Sequence, residues 1–163
     1  MTPERGWGRL DKAAFGLIYG AIMVLSILMA IGDHPETPVR TAVVLFGSVL
    51  AVTLAKAFAE LMAHALDTGA RITRAEVRAA WRHSSPTLAV ANLPTLFFLG
   101  AAAGLMSAER AVLASQILCI GLLATLGVRV GWTIDRRLAP SLLGGLFAGA
   151  VGLALALLKH AIH

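Results

Sequence analysis

The chain has 163 residues, of which 58% are hydrophobic and 14% are charged, and its mean hydropathy is +0.79. A soluble domain has about 45–50% apolar and about 25% charged residues, and a chain of this length cannot bury so much apolar surface. This composition excludes an ordinary soluble domain, a disordered chain and a nucleic-acid-binding module, although the net charge is +5. The single cysteine, Cys119, excludes an intramolecular disulfide framework. We expect an all-α integral membrane protein with one domain over residues 1–163.

Five segments are predicted to span the membrane, because a helix needs about 20 mostly apolar residues to cross about 30 Å of hydrocarbon. These spans cover about 13–31, 41–64, 86–106, 111–132 and 140–158. The runs are apolar on every side, which favours helices over the alternating strands of a β-barrel. The short connection at 107–110 predicts an antiparallel hairpin of the third and fourth spans.

The basic residues predict the orientation, because Lys and Arg are enriched in cytoplasmic loops. Of the 14 Lys and Arg residues, ten fall on the side of the N-terminus, three fall on the other side, and Lys56 lies within the second span. We therefore expect a cytoplasmic N-terminus, an external C-terminus and a location in the inner (plasma) membrane of the cell.

The connection between the second and third spans contains a helix-start signal and a basic stripe. Thr73 and Glu76 have the spacing of a capping box, in which each side chain bonds a free backbone N–H. This pattern predicts a short amphipathic cytoplasmic helix from 74 to about 83 that lies along the membrane surface and binds anionic lipid. The residues expected to contact lipid are Arg71, Arg74, Arg78, Trp81 and Arg82.

Three spans carry glycines four residues apart, a spacing that allows helices to approach closely inside lipid. The pairs are Gly16 and Gly20, Gly100 and Gly104, and Gly145 and Gly149. Packing within one subunit is the favoured interpretation of each pair, and a dimer interface is the alternative. Pro94, inside the third span, predicts a kink there.

Lys56, Glu60 and His64 recur every four residues on the second span and therefore share one helix face. Ionisable groups within a membrane helix are costly and are candidates for function. Two interpretations are evenly balanced: a Lys56–Glu60 pair where the helix leaves the membrane, and an ion or proton pathway that opens to the cytoplasm. Glu60 and His64 could also share a divalent metal ion, which would need further ligands from another helix or a second subunit.

The order of these elements resembles that of the vacuolar iron transporter family, with five spans and a cytoplasmic insert between spans two and three. Span two of that family extends into the cytoplasm with acidic and Met residues, and the matching stretch here carries Glu60, Met62 and His64. Leu93-Pro94 in span three is similar to the family's apolar Leu-Pro segment. The family's insert carries several metal-binding glutamates, whereas this insert carries only Glu76 among four arginines. The resemblance therefore implies the fold and a homodimer more than it implies iron transport.

Two functions are consistent with these patterns. The first is a dimeric transporter of a cation or proton, in which Glu60 carries the ion, His64 assists it and Lys56 supplies a counter-charge. The alternative is a non-transporting membrane scaffold or lipid-binding protein. The sequence contains no Ser/His/Asp arrangement, phosphate-binding loop or HExxH motif, so we expect neither enzymatic activity nor a cofactor.

A reporter fused after His163 tests the predicted topology. We expect the reporter to be external, because five spans separate it from a cytoplasmic N-terminus. A matched fusion after Ala70, between spans two and three, should be cytoplasmic. A cytoplasmic reporter after His163 would show that the predicted number of spans is wrong.

Overall fold

The computed structural model describes residues 4–31, 37–135 and 150, with the side chains of 13–31, 37–132 and 150. Within this part of the chain there are four long helices: α1 (Glu4–Ile31), α2 (Pro38–Thr68), α3 (Arg74–Ala102) and α4 (Ala108–Asp135). All four are long and apolar enough to cross a membrane, which confirms the expected all-α class for the described residues. The predicted fifth span, with Gly145 and Gly149, lies outside them apart from Ala150.

Local signals determine where α2 begins and ends. Pro38 occupies the first turn, where a missing N–H costs nothing and the fixed φ of proline suits a helix. Gly69 ends the helix with a φ of +64°, and its N–H donates to the carbonyl of Ala65 at 3.0 Å. Glycine adopts this left-handed conformation without the penalty that a Cβ would bring.

The third helix is continuous from Arg74 to Ala102, so the separate surface helix predicted for 74–83 is wrong. The predicted capping box is confirmed: the N–H of Thr73 donates to Glu76 Oε2 at 2.6 Å, and the N–H of Glu76 donates to Thr73 Oγ1 at 3.3 Å. Pro86 does not end the helix. It leaves the carbonyl of Arg82 without its helical donor, and the Ser85 hydroxyl donates to that carbonyl at 3.4 Å instead.

The packing role predicted for Gly100 and Gly104 is also wrong, because this pair ends α3. Gly104 lies beyond the helix with a φ of +78°, and its N–H donates to the carbonyl of Ala101 at 3.1 Å. The next N–H, of Leu105, reaches back to the carbonyl of Gly100 at 2.9 Å. These two bonds form a Schellman motif, which turns the chain into α4 and forms the predicted hairpin.

Helices α1 and α3 form the centre of the bundle, and α2 and α4 pack on opposite sides of this pair. The core between the helices is formed by side chains that are almost fully buried: Val24, Leu25, Leu28, Leu45, Val49, Phe98, Cys119 and Leu123. Other large apolar side chains point outward, among them Phe15, Leu54, Phe58, Leu113 and Ile117. Outward apolar faces on several helices are the arrangement that a lipid environment favours.

Helices α1 and α3 approach each other closely where Gly16 and Gly20 of α1 cross α3. A Cβ added at Gly20 would lie 2.5 Å from the carbonyl oxygen of Thr87, and one at Gly16 would lie 3.0 Å from Cβ of Pro86. Neither position accepts a side chain without moving backbone. The pair therefore lies at an interface between helices of one subunit.

We expect Gly20→Ala to lower the free energy of unfolding by about 1–3 kcal/mol, because the added methyl group pushes α1 away from the backbone of α3. Gly47→Ala on α2 is the matched control, since no atom lies within 4 Å of a Cβ built there. Alanine favours helix over glycine by about 1 kcal/mol, so the control should be as stable as the wild type or more so. Thermal unfolding in detergent measures both, and equal stability of the two variants would contradict the close contact.

Candidate functional site

A pocket of about 180 Å³ lies between the C-terminal turns of α2 and the N-terminal turns of α3. Its lining residues are Glu60, Leu61, His64, Glu76, Ala79 and Ala80. The five-residue connection at 69–73 holds the two helices side by side at this end. Because α2 has 31 residues and is about 46 Å long, it is longer than the hydrocarbon layer is thick. The pocket therefore lies towards one end of the bundle.

Two carboxylate–imidazole contacts cross from α2 to α3 at this pocket. Glu60 Oε1 lies 2.8 Å from His83 Nδ1, and Glu76 Oε1 lies 3.4 Å from His64 Nε2. Each contact joins an acid on one helix to a histidine on the other, and all four side chains remain partly accessible. Two carboxylates and two imidazoles are thus grouped between α2 and α3, and Glu60, His64 and Glu76 of this set line the pocket.

These contacts correct the pairings expected from the sequence. Glu60 contacts His83 of α3 and forms no ion pair with Lys56 or His64, its neighbours on α2. Lys56 Nζ instead lies 4.4 Å from the centroid of the Phe15 ring on α1, a cation–π contact. In the described part of the chain, no group of three or more His, Cys, Asp or Glu side chains is arranged to hold a metal ion. The possible sharing of a metal ion by Glu60 and His64 stays a prediction, because it needs further ligands from another helix or a second subunit.

His83 was not among the residues singled out from the sequence. A signal was present, because Glu76 and His83 are seven residues apart and so lie on the same face of a helix, two turns from each other. Both residues fall within the helix predicted for 74–83. The spacing alone does not indicate that this face packs on α2, where the partners Glu60 and His64 lie.

Five buried polar atoms of the described side chains have no hydrogen-bond partner: Lys56 Nζ, Glu60 Oε2, Ser84 Oγ, Thr87 Oγ1 and Thr95 Oγ1. All of them belong to α2 or α3. A buried polar group without a partner costs about 1–3 kcal/mol. Each of these atoms is therefore placed at a local cost to stability.

Other hydroxyls in the bundle show how this cost is normally avoided. The hydroxyls of Thr53, Ser115 and Thr125 each donate to the carbonyl four residues earlier, at 2.7 Å. This bond within the helix is the usual arrangement for Ser and Thr. The three hydroxyls of α3 do not form it, so their donor and acceptor capacity remains available inside the bundle.

The polar groups of α3 follow one another along its axis. At about 1.5 Å per residue, Glu76 and His83 are about 10 Å apart, Thr87 is about 6 Å further, and Thr95 is about 12 Å beyond Thr87. Thr87 is the residue that Gly16 and Gly20 contact. The groups therefore follow one another along α3 from the pocket to the crossing of α1 and α3 and beyond it.

The residues predicted to bind lipid lie on the outer surface of the same region. Arg71, Arg74, Arg78 and Arg82 are exposed, and Trp81 is 39% exposed. Ala80, which lies between Arg78 and Trp81, and Ser84, two residues after Arg82, are buried. The first turns of α3 therefore have a basic outer face and an inner face that contacts α2.

Comparison of the chain with protein-family models, with curated proteins and with solved structures finds no match.

A double-mutant cycle tests the Glu60–His83 contact. We expect Glu60→Gln and His83→Gln to show a coupling energy of about 0.5–1 kcal/mol in unfolding, a modest value because both side chains are partly accessible. The matched cycle of Glu60→Gln with His64→Gln should give a coupling near zero, because the two residues contact different partners. A larger coupling in the second cycle would favour the pairing expected from the sequence.

Proposed function

We propose that this protein is a small membrane transporter that moves a proton or another small cation, and that Glu60 is its carrier group. The observation that supports this proposal best is the division of the Glu60 carboxylate between two environments. Oε1 contacts His83 at the pocket, and Oε2 is buried without a partner. A carboxylate placed in this way can take up an ion on one side and release it on the other.

The proposed path begins at the pocket. An ion that enters meets Glu76 and His64 and then the Glu60–His83 contact, which together provide carboxylate oxygens and imidazole nitrogens. The hydroxyls of Ser84 and Thr87 lie on the next turn of α3 and have no other partner. A buried polar group within a membrane helix is a candidate for an ion or proton relay, and these groups occur in succession along one helix.

We also propose the number of membrane spans, their orientation and the oligomeric state. Five spans and a cytoplasmic N-terminus would place the pocket on the cytoplasmic side, since it lies beside the connection between the second and third spans. A homodimer, which the resemblance to the vacuolar iron transporter family implies, would place two such pockets in one assembly.

The lipid-binding function is supported by a different observation, the exposed arginines of α3. Arg82 lies nearest to the apolar part of the helix, and Arg74 is about 12 Å further out. Each arginine near an anionic leaflet contributes about 1 kcal/mol of attraction. Lipid binding and transport would use opposite faces of α3. If the purified protein carries no ion in reconstituted vesicles, lipid binding becomes the better supported function.

Ion flux into vesicles that contain the purified protein tests the role of Glu60. We expect Glu60→Gln to lower proton flux by about 100-fold, because the amide keeps the shape of the carboxylate and cannot bind a proton near neutral pH. Asp67→Asn is the matched control: Asp67 is an exposed carboxylate on the same helix, outside the pocket, and this variant should keep the wild-type flux. Unchanged flux in Glu60→Gln with reduced thermal stability would show that Glu60 is only a structural partner of His83.

A further inference from the structure

The Nζ atom of Lys56 is buried beside the proposed path, although the residue as a whole is half-buried. Its ammonium has no hydrogen-bond partner and contacts the Phe15 ring of α1 at 4.4 Å. Glu60, one helical turn away, keeps Oε2 free and does not neutralise it through an ion pair. A positive charge thus lies one helical turn from the carrier carboxylate along α2, on a side chain that contacts an aromatic ring.

We infer that the ion carried at Glu60 is the proton and that Lys56 excludes metal cations from the path. This inference rests on the proposed function and names its substrate. The two kinds of ion make different demands on the site. A proton forms a covalent O–H bond with a single carboxylate oxygen, and Oε2 of Glu60 provides one.

A metal ion needs several ligand atoms around it, about six to eight oxygens for Ca²⁺ and six for Mg²⁺. The described residues contain no group of three or more side chains arranged for this purpose. A metal ion at Glu60 would also lie close to the ammonium of Lys56. Coulomb repulsion between like charges is strong where little water is present, and it doubles for a divalent ion.

The aromatic contact explains how the ammonium remains in place. The face of an aromatic ring attracts a cation through its quadrupole, and the ring does not accept a proton from the ammonium. A carboxylate in the place of Phe15 would neutralise the positive charge. The phenyl ring holds Lys56 and leaves its charge uncompensated, which is what exclusion of cations requires.

Replacement of Lys56 in vesicles of phosphatidylethanolamine and phosphatidylglycerol tests this inference. Entry of protons, Na⁺ and Mn²⁺ is followed with dyes trapped inside the vesicles. We expect the wild type to admit protons and to exclude both metal ions. In Lys56→Met, entry of Na⁺ should rise by about tenfold and entry of Mn²⁺ by about 100-fold, because the repulsion energy scales with the charge of the ion.

Two further variants complete the experiment. Lys56→Arg keeps the charge and should keep the exclusion of Mn²⁺, while Lys56→Gln provides the neutral variant if Lys56→Met does not fold. Equal gains for Na⁺ and Mn²⁺ would overturn the inference, because they would indicate a wider path and not the loss of a charge. Entry of Mn²⁺ into wild-type vesicles would overturn the inference as well, and the protein would then be a transporter of metal cations. Entry of no ion at all in the wild type would overturn the proposed function, and the inference with it.

Discussion

The contact between Gly20 of α1 and the backbone of α3 at Thr87 determines how the other helices are placed. A Cβ at Gly20 would overlap the carbonyl oxygen of Thr87, so the two central helices are as close as their backbones allow. Hydrophobic attraction cannot hold helices together in lipid, where close packing must do so. With α1 and α3 fixed in this way, α2 and α4 have only the two outer sides of the pair on which to pack.

This arrangement also brings the polar groups of the bundle together. Phe15 precedes Gly16, and its ring contacts Lys56, so the turn of α1 that packs on Pro86 and Thr87 also contacts α2. The succession of polar groups along α3, from Glu76 to Thr95, passes through the same place. Side chains that would each be costly in an apolar bundle are thereby concentrated in one place, and the surrounding packing remains apolar.

The sequence was sufficient to predict the helical class and the approximate positions of four helices, because long uncharged runs have few other structures available in lipid. It was also sufficient for the capping box at Thr73, which depends on residues three apart. It failed where the outcome depended on neighbours distant in sequence. Glu60 contacts His83, 23 residues away, and not its neighbours on α2.

The two local errors have a common cause. The separate helix predicted for 74–83 is wrong because α3 continues through Pro86, where the Ser85 hydroxyl donates to the carbonyl of Arg82 that lacks its helical donor. Gly100 and Gly104 suggested a packing motif, but the left-handed conformation of Gly104 ends α3 before it could form one. In both cases a single hydrogen bond or dihedral angle decided between two readings of the same residues.

The continuity of α3 through Pro86 has a mechanical consequence. The helix is about 43 Å long from its 29 residues, and its crossing point with α1 lies near the middle, at Thr87. A rod supported near its middle acts as a lever. A tilt that moves the arginine-bearing turns to one side moves the Gly104 turn to the other by a similar distance. A force applied at one end of α3 would therefore reach the opposite surface of the bundle through the helix, which would pivot at its contact with Gly20.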